Sequence, residues 1–184
     1  MNNMATVSHD IESQLSEAAQ HLFPHIDHLK EVTSTNDYLL KLSQAIPHNV
    51  ICTTEHQTQG RGRRGQEWVS QPGDICFSLL WKTQISIDRL SGISLVTAIA
   101  IASALESNDL SSNIKVKWPN DIFCHGKKLG GVLIESTRCQ QETSVIIGIG
   151  INQNRLEQNS ELEQSAISLC EISEENLQST LIAK

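Results

Sequence analysis

Between Asn49 and Asn152 the chain offers one short β-branched run after another, and a single apolar stretch of helical length. "NVICTTE" (Asn49 to Glu55), "DICFSLLW" (Asp74 to Trp81), "IKVKW" (Ile114 to Trp118) and "TSVIIGIGIN" (Thr143 to Asn152) each read as a strand. "DIFCHGKKLGGVLIES" reads as a hairpin turning at His125-Gly126. The exception is "LSGISLVTAIAIASAL" (Leu90 to Leu105), the heart of a buried helix expected over Asp88 to Glu106. The expected fold class is α+β: a mixed, mostly antiparallel sheet with helices packed on one side of it.

The flanks add less. One short amphipathic helix is expected around Ile11 to Leu22, closed by Pro24. "LKEVTSTNDYLLKL" reads as a short strand from Leu29 running into a helix, with Ser34 as its cap and Asp37 at the capping-box position. A last helix is expected from Ser173, with Glu174 and Glu175 in its first turn. A length of 184 residues suits one domain. The expected division is a short N-terminal helical extension, 1–28, and a single domain over 29–184.

Composition bounds the function. Hydrophobic residues make up 39% and charged residues 19%, as in a soluble globular protein. No unbroken apolar run approaches the roughly eighteen residues of a membrane span. The N-terminus has neither the basic start nor the apolar middle of a secretion signal, so a cytoplasmic location is expected. Five scattered cysteines without a C-x-x-C pair indicate neither disulfides nor a zinc knuckle and are expected to be small buried residues. His21, His25 and His28 have helical spacing but lack acidic or cysteine companions, so no metal site is assigned to side chains. The formal net charge is -7 and the sequence pI near 5.4, so the surface would repel nucleic acid. Any anion has to be bound locally.

Positive charge is concentrated in "TQGRGRRGQEW" (Thr58 to Trp68), with three arginines and three glycines in eleven residues. Gly60, Gly62 and Gly65 satisfy G-x-G-x-x-G, but no helix opens at the loop: Pro72 and Gly73 force a turn instead, which rejects a dinucleotide fingerprint. A kinase loop fails at Glu67, where Val is expected, and a Walker loop lacks its Gly-Lys-Ser/Thr ending. An RNA-binding segment and a merely solvated loop both fit these residues in isolation. Glycines let such a loop close over a ligand, and arginines supply forked donors that match phosphate or carboxylate oxygens. The loop is expected to be disordered when empty and ordered over an anionic intermediate. Trp68 offers either a face for a nucleobase or a core side chain.

A second constellation is "KWPND" followed by Lys128 and Gly130-Gly131. Pro119 ends strand pairing, and Asn120 and Asp121 present an amide and a carboxylate at a strand edge. A lysine before two glycines can neutralise a carboxylate and a phosphate brought together, the charge problem of acyl adenylation. A turn and an exposed hairpin lysine fit the same residues.

With "EVTSTND", "TTEHQTQGRGRRGQEW", "KVKWPNDI", "KKLGGVLIE" and "VIIGIGIN" in that order, the chain resembles the biotin protein ligases, the biotin–[acetyl-CoA-carboxylase] ligase family, over Leu29 to Asn154. The resemblance implies two steps. The biotin carboxylate attacks the α-phosphate of ATP, bound with Mg2+, to give biotinyl-5'-AMP; a lysine of the biotin carboxyl carrier protein of acetyl-CoA carboxylase then takes the biotinyl group. It implies Ser34, Thr35, Asn36 and Gln57 around biotin, and Arg61, Gly62 and Arg63 in a loop folding over biotin and the adenylate. Arg63 matches the arginine whose loss lets the intermediate escape. Lys128, beside Gly130 and Gly131, matches the lysine between carboxylate and phosphate, making Lys128 and Arg63 the expected catalytic residues. Arg64, Trp68 and Asn120 are expected on the nucleotide side, with Lys117 and Asp121 as supports. Charge is expected to dominate: Arg61, Arg63, Lys128 and Mg2+ offset the repulsion between two anions.

Gln59 and Asp74 depart from residues common in the family. Twenty-eight residues before the similarity are too few for the winged-helix repressor domain of bifunctional members, so operator binding is not expected. Members usually continue into an SH3-like barrel, so the domain is expected to be incomplete at its C-terminus. A homodimer is an open expectation, since members often pair through sheet edges. Three competing readings stand beside this one: a lipoate ligase-like acyltransferase, a protein that binds biotin or biotinyl-AMP without turnover, and an RNA-binding module.

Overall fold

The structure, a computed structural model, describes residues 11–107, 113–139, 141–154 and 166–172. Seven strands form one sheet in the order β1-β2-β3-β7-β6-β5-β4. They are β1 (His25–Leu29), β2 (Val50–Thr54), β3 (Ile75–Thr83), β4 (Ile114–Lys117), β5 (Asp121–Cys124), β6 (Lys127–Cys139) and β7 (Glu142–Ile151). Only β1 and β2 run parallel; every other pair is antiparallel. The sheet is therefore mixed and mostly antiparallel, as the sequence pattern predicts.

β7 is apolar almost throughout because it lies between β3 and β6 and is buried from Thr143 to Ile151. β4 ends the sheet and exposes Lys115 and Lys117, which discourages pairing with another chain. The β5–β6 hairpin turns where expected: His125 and Gly126 have φ of 50° and 78°, the left-handed pair that a tight hairpin turn requires.

The helices bounded within the described residues are α1 (Glu17–Leu22), α2 (Thr35–Leu42), α3 (Ile93–Glu106) and α4 (Leu169–Ile172). They do not share one side of the sheet. Leu39 of α2 packs with Val50, Cys52, Leu80 and Ile146 on one face. Ala98, Ala102 and Leu105 of α3 pack with Ile75, Phe77, Ile147, Ile149 and Ile151 on the other. Successive strand residues point to opposite faces, so Ile146 and Ile147 each serve a different core. Ile11 and Leu15 are buried in the α3-side core.

Several boundaries move. Ser34 caps α2, accepting the Asp37 N–H at 3.4 Å, but the strand before it is β1, ending where a strand was expected to begin. The expected Asp88–Glu106 helix breaks at Gly92, whose φ of 92° separates a 3-10 turn (Ile87–Leu90) from α3. By length and composition alone Ile87–Glu106 could cross a bilayer. The break leaves fourteen α-helical residues, about 21 Å, short of a hydrocarbon core of about 30 Å. The helix expected from Ser173 lies outside the described residues.

Cys52, Cys76 and Cys124 are buried, whereas Cys139, at the end of β6, is exposed and Cys170 half-buried. Burial pushes the Cys52 thiol far above its ordinary range and the Cys76 thiol up to about 12. Since the thiolate is the reacting form, a thiol reagent at pH 8 should label Cys139 first and reach Cys52 and Cys76 only as the protein unfolds. Equal rates under native conditions, read by peptide mass spectrometry, would contradict this packing.

Candidate active site

On the α2 face, beyond Ile146, β7 presents Gly148 and Gly150, and the missing side chains leave a cavity of about 420 Å³. The fit around this bare floor is close. A Cβ on Gly148 would overlap the Asn36 side-chain amide, and one on Gly150 would sit 2.5 Å from the Trp68 ring.

One end of the cavity is polar and buried. α2 carries Thr35 and Asn36 into it by starting at the Ser34 cap. The Thr35 N–H and Oγ1 both donate to Gln57 Oε1, at 2.9 and 3.1 Å. Ser78 Oγ, from β3, lies 2.7 Å from Thr35 Oγ1 and 2.6 Å from Asn36 Oδ1. Asn36 Nδ2 donates to Glu135 Oε2 at 2.8 Å. Buried amides and hydroxyls fixed in this way suit a compact ligand with its own donors and acceptors.

The arginine-glycine segment folds over the cavity as a small hairpin. Gly62 N–H donates to Gln66 O at 2.7 Å, Trp68 N–H to Gly60 O at 2.9 Å, and Arg61 bridges Glu67. Arg64 and Gly65 turn it with φ of 55° and 74°. Arg61 Nη2 lies 2.6 Å from both Asp37 Oδ1 and Glu135 Oε2, and Arg63 Nη1 donates to Asn120 Oδ1 at 3.0 Å.

Lys128 enters from β6 through a bulge. Opposite Ile122 and Phe123 of β5 the register shifts by one residue, so Leu129 goes into the core and Lys128 joins Gly131, Leu133 and Glu135 on the cavity side. Without that shift, strict alternation back from Gly131 would place Lys128 on the core side with Val132. Its Nζ lies 2.8 Å from Asp121 Oδ1 and 5.6 Å from the centroid of the Trp68 ring.

Among the expected site residues, Ser34, Thr35, Asn36, Gln57, Arg61, Gly62, Arg63, Arg64, Trp68, Asn120, Asp121, Lys128 and Gly131 all line this cavity. Lys117 and Gly130 do not. The Lys117 ammonium lies 5.1 Å over the Phe123 ring, and Gly130 is buried behind the bulge, where a Cβ would meet Gly150 O at 2.7 Å. Trp68 packs on the glycine floor with its indole nitrogen buried, while Trp118, 79% exposed, stands at the cavity's edge.

Residues 29–152, more than half of the chain, match the model of the Biotin/lipoate A/B protein ligase family. The chain belongs to this family.

It is 35% identical over 144 residues to the bifunctional ligase/repressor BirA of Salmonella typhimurium, covering 77% of this chain and 43% of that one. It is 33% identical to the biotin–[acetyl-CoA-carboxylase] ligase of Paracoccus denitrificans, covering 67% and 52%. The solved biotin protein ligase of Leishmania major, in complex with biotinyl-5-AMP, superposes with a TM-score of 0.72 at 28% identity, covering 87% of this chain and 70% of that one. The chain thus spans about half the length of the curated relatives it matches.

Within this biotin/lipoate ligase domain, sequence reasoning passed over Gly148, Gly150, Asp37 and Glu135 as site residues. Gly-x-Gly inside a strand was the available signal, because two bare positions on one face mark a close approach. Asp74 ties the loop's exit to the end of β7, since its carboxylate accepts the N–H groups of Gln71, Gln153 and Asn154 at 2.8, 2.9 and 3.1 Å. Burial raises its pKa, while those three donors work the other way.

Gly150→Ala should push Trp68 off the floor and shift its fluorescence. Overpacking of this kind costs about 1–3 kcal/mol, so ligand affinity should fall by roughly tenfold or more. Unchanged fluorescence and affinity would show that the floor does not support Trp68.

Proposed function

We propose that this domain is an ATP-dependent biotin–[biotin carboxyl-carrier protein] ligase. The observation that carries the reading is the placement of Lys128 and Arg63 on one cavity, with a glycine-floored, hydrogen-bonding pocket beside them. A bicyclic ureido ring would lie in the cavity beside Trp68, which with Asn36 covers Gly150 and Gly148, with its polar head toward Thr35, Asn36 and Gln57. Its carboxylate would then point at Lys128.

In the first step a biotin carboxylate oxygen attacks the α-phosphorus of ATP. The bond to the β-phosphate oxygen breaks, releasing pyrophosphate and leaving biotinyl-5'-AMP. The obstacle is the approach of two anions, and a fixed cation between them lowers it. The Lys128 ammonium has three donors, so it can keep Asp121 while serving the carboxylate and the phosphate. Arg63 spends a donor on a neutral amide, Asn120, and can exchange it for a phosphate oxygen. Magnesium would travel on the ATP phosphates and neutralise part of their charge. Among the described residues no group of three or more His, Cys, Asp or Glu side chains is placed to hold an ion.

In the second step the ε-amine of a carrier lysine attacks the biotinyl carbonyl, AMP leaves, and the amine gives up a proton. No enzyme nucleophile takes part, so no covalent enzyme intermediate forms. A hairpin closed over the mixed anhydride would keep water from it. The carrier of acetyl-CoA carboxylase is the expected acceptor, in keeping with the Paracoccus relative's name. We include β1 in the catalytic unit, because it pairs with β2 along its whole length and Ile11 and Leu15 are buried in the α3-side core, so the expected boundary at residue 28 falls inside a strand; the setting is cytoplasmic, and pairing through the β1 edge would give a homodimer.

Purified protein incubated with biotin, MgATP and pyrophosphatase, without carrier, should accumulate biotinyl-5'-AMP detectable by mass spectrometry. Lys128→Ala should lower its formation by about 100-fold or more, and Arg63→Gly should release it faster. Biotin binding without any adenylate would identify a binding protein instead.

A further inference from the structure

Arg61 has a different set of partners from Arg63. One of its nitrogens, Nη2, lies 2.6 Å from carboxylate oxygens of two separate elements, Asp37 in the first turn of α2 and Glu135 on β6. Glu135 Oε2 also accepts from Asn36 Nδ2 at 2.8 Å, so a single oxygen joins the pocket's polar end to the loop. At the backbone, Arg61 pairs with Glu67 and closes the base of the hairpin.

The trio's formal charges sum to minus one: two carboxylates against one guanidinium. A cation already more than neutralised attracts a further anion weakly. Arg63, which donates to a neutral amide, has its charge available. We propose that Asp37 and Glu135 are positioning residues that hold the arginine-glycine loop shut through Arg61, and that Arg61 anchors the loop rather than gripping the anionic intermediate. The role assigned to the loop rests on the adenylation reading; the clasp itself does not.

The two roles for Arg61 predict opposite signs. If it is an anchor, Asp37→Asn or Glu135→Gln loosens the loop and speeds escape of the adenylate. If it is an anion ligand, neutralising its competitors strengthens its grip and slows escape.

Limited trypsin digestion of the full chain, read by mass spectrometry, tests the clasp without any turnover. Cleavage after Arg63 and Arg64 should rise about twofold to fivefold in each variant, relative to cleavage after the exposed Lys30, as expected for partly exposed ion pairs. The thermal midpoint should stay close to that of the wild type. Raising NaCl to about 0.5 M should speed the same cleavages in the wild type by screening the pairs, a check that holds even if a variant folds poorly. In parallel, pre-formed biotinyl-5'-AMP should leave both variants faster than it leaves the wild type.

Unchanged digestion ratios in the variants and in salt would overturn the clasp. Slower escape of the adenylate would overturn the anchoring role and restore Arg61 as an anion ligand. If the wild type makes no adenylate, the adenylation reading fails, and the digestion ratios still decide whether the clasp exists.

Discussion

The site depends on two hydrogen atoms where side chains would be. β7 runs through the middle of the sheet and uses one face, through Val145, Ile147, Ile149 and Ile151, to hold the α3-side core. On its other face Ile146 belongs to the α2-side core, and then Gly148 and Gly150 leave the backbone bare. Because the strand is pinned by β3 and β6 and by the core behind it, the floor is rigid although it is made of glycine. Asn36 and Trp68 close in above it, and every other lining group takes its place relative to that surface.

Charge is distributed on the same principle of fixed partners. An acidic chain, with net charge -7, gathers Arg61, Arg63, Arg64 and Lys128 around one cavity. The geometry gives them different roles. Lys128 reaches the cavity through a bulge and keeps Asp121 as a counterion; Arg63 meets a neutral amide; Arg61 meets two carboxylates. A lone carboxylate pairing leaves donors free for an incoming anion, whereas a doubly paired guanidinium has little charge to offer.

Much of the fold was legible because its signals are local. The Ser34 cap, the His125-Gly126 turn and the β-branched runs depend on nearby residues, and each formed near its expected place. The missing helix after Gly65 was legible too: Gln66 to Trp68 return as the second arm of a hairpin. The placement of helices on both faces was not, because "VIIGIGI" is apolar on either parity and says nothing about which core each residue serves. Gly92 looked like one small residue within a helical run, yet its positive φ splits the helix. Lys117 and Lys128 are both strand lysines; the bulge, a long-range property of β5–β6 pairing, sends Lys128 into the cavity, and the place of β4 at the end of the sheet leaves Lys117 at an edge. Glu135 carried no local signal of its role; its closeness to Arg61, 74 positions away, is purely tertiary.

The most direct test is a crystal structure with a non-hydrolysable biotinyl-5'-AMP analogue. The expected result is the bicyclic ring lying beside Trp68 in the cavity with its ureido group among Thr35, Asn36 and Gln57. The phosphate mimic should be within hydrogen-bond reach of Lys128 Nζ. An analogue bound with its ring at the Asn120 and Trp118 end, or with Lys128 out of reach of the phosphate position, would contradict the assignment of this cavity to biotin adenylation.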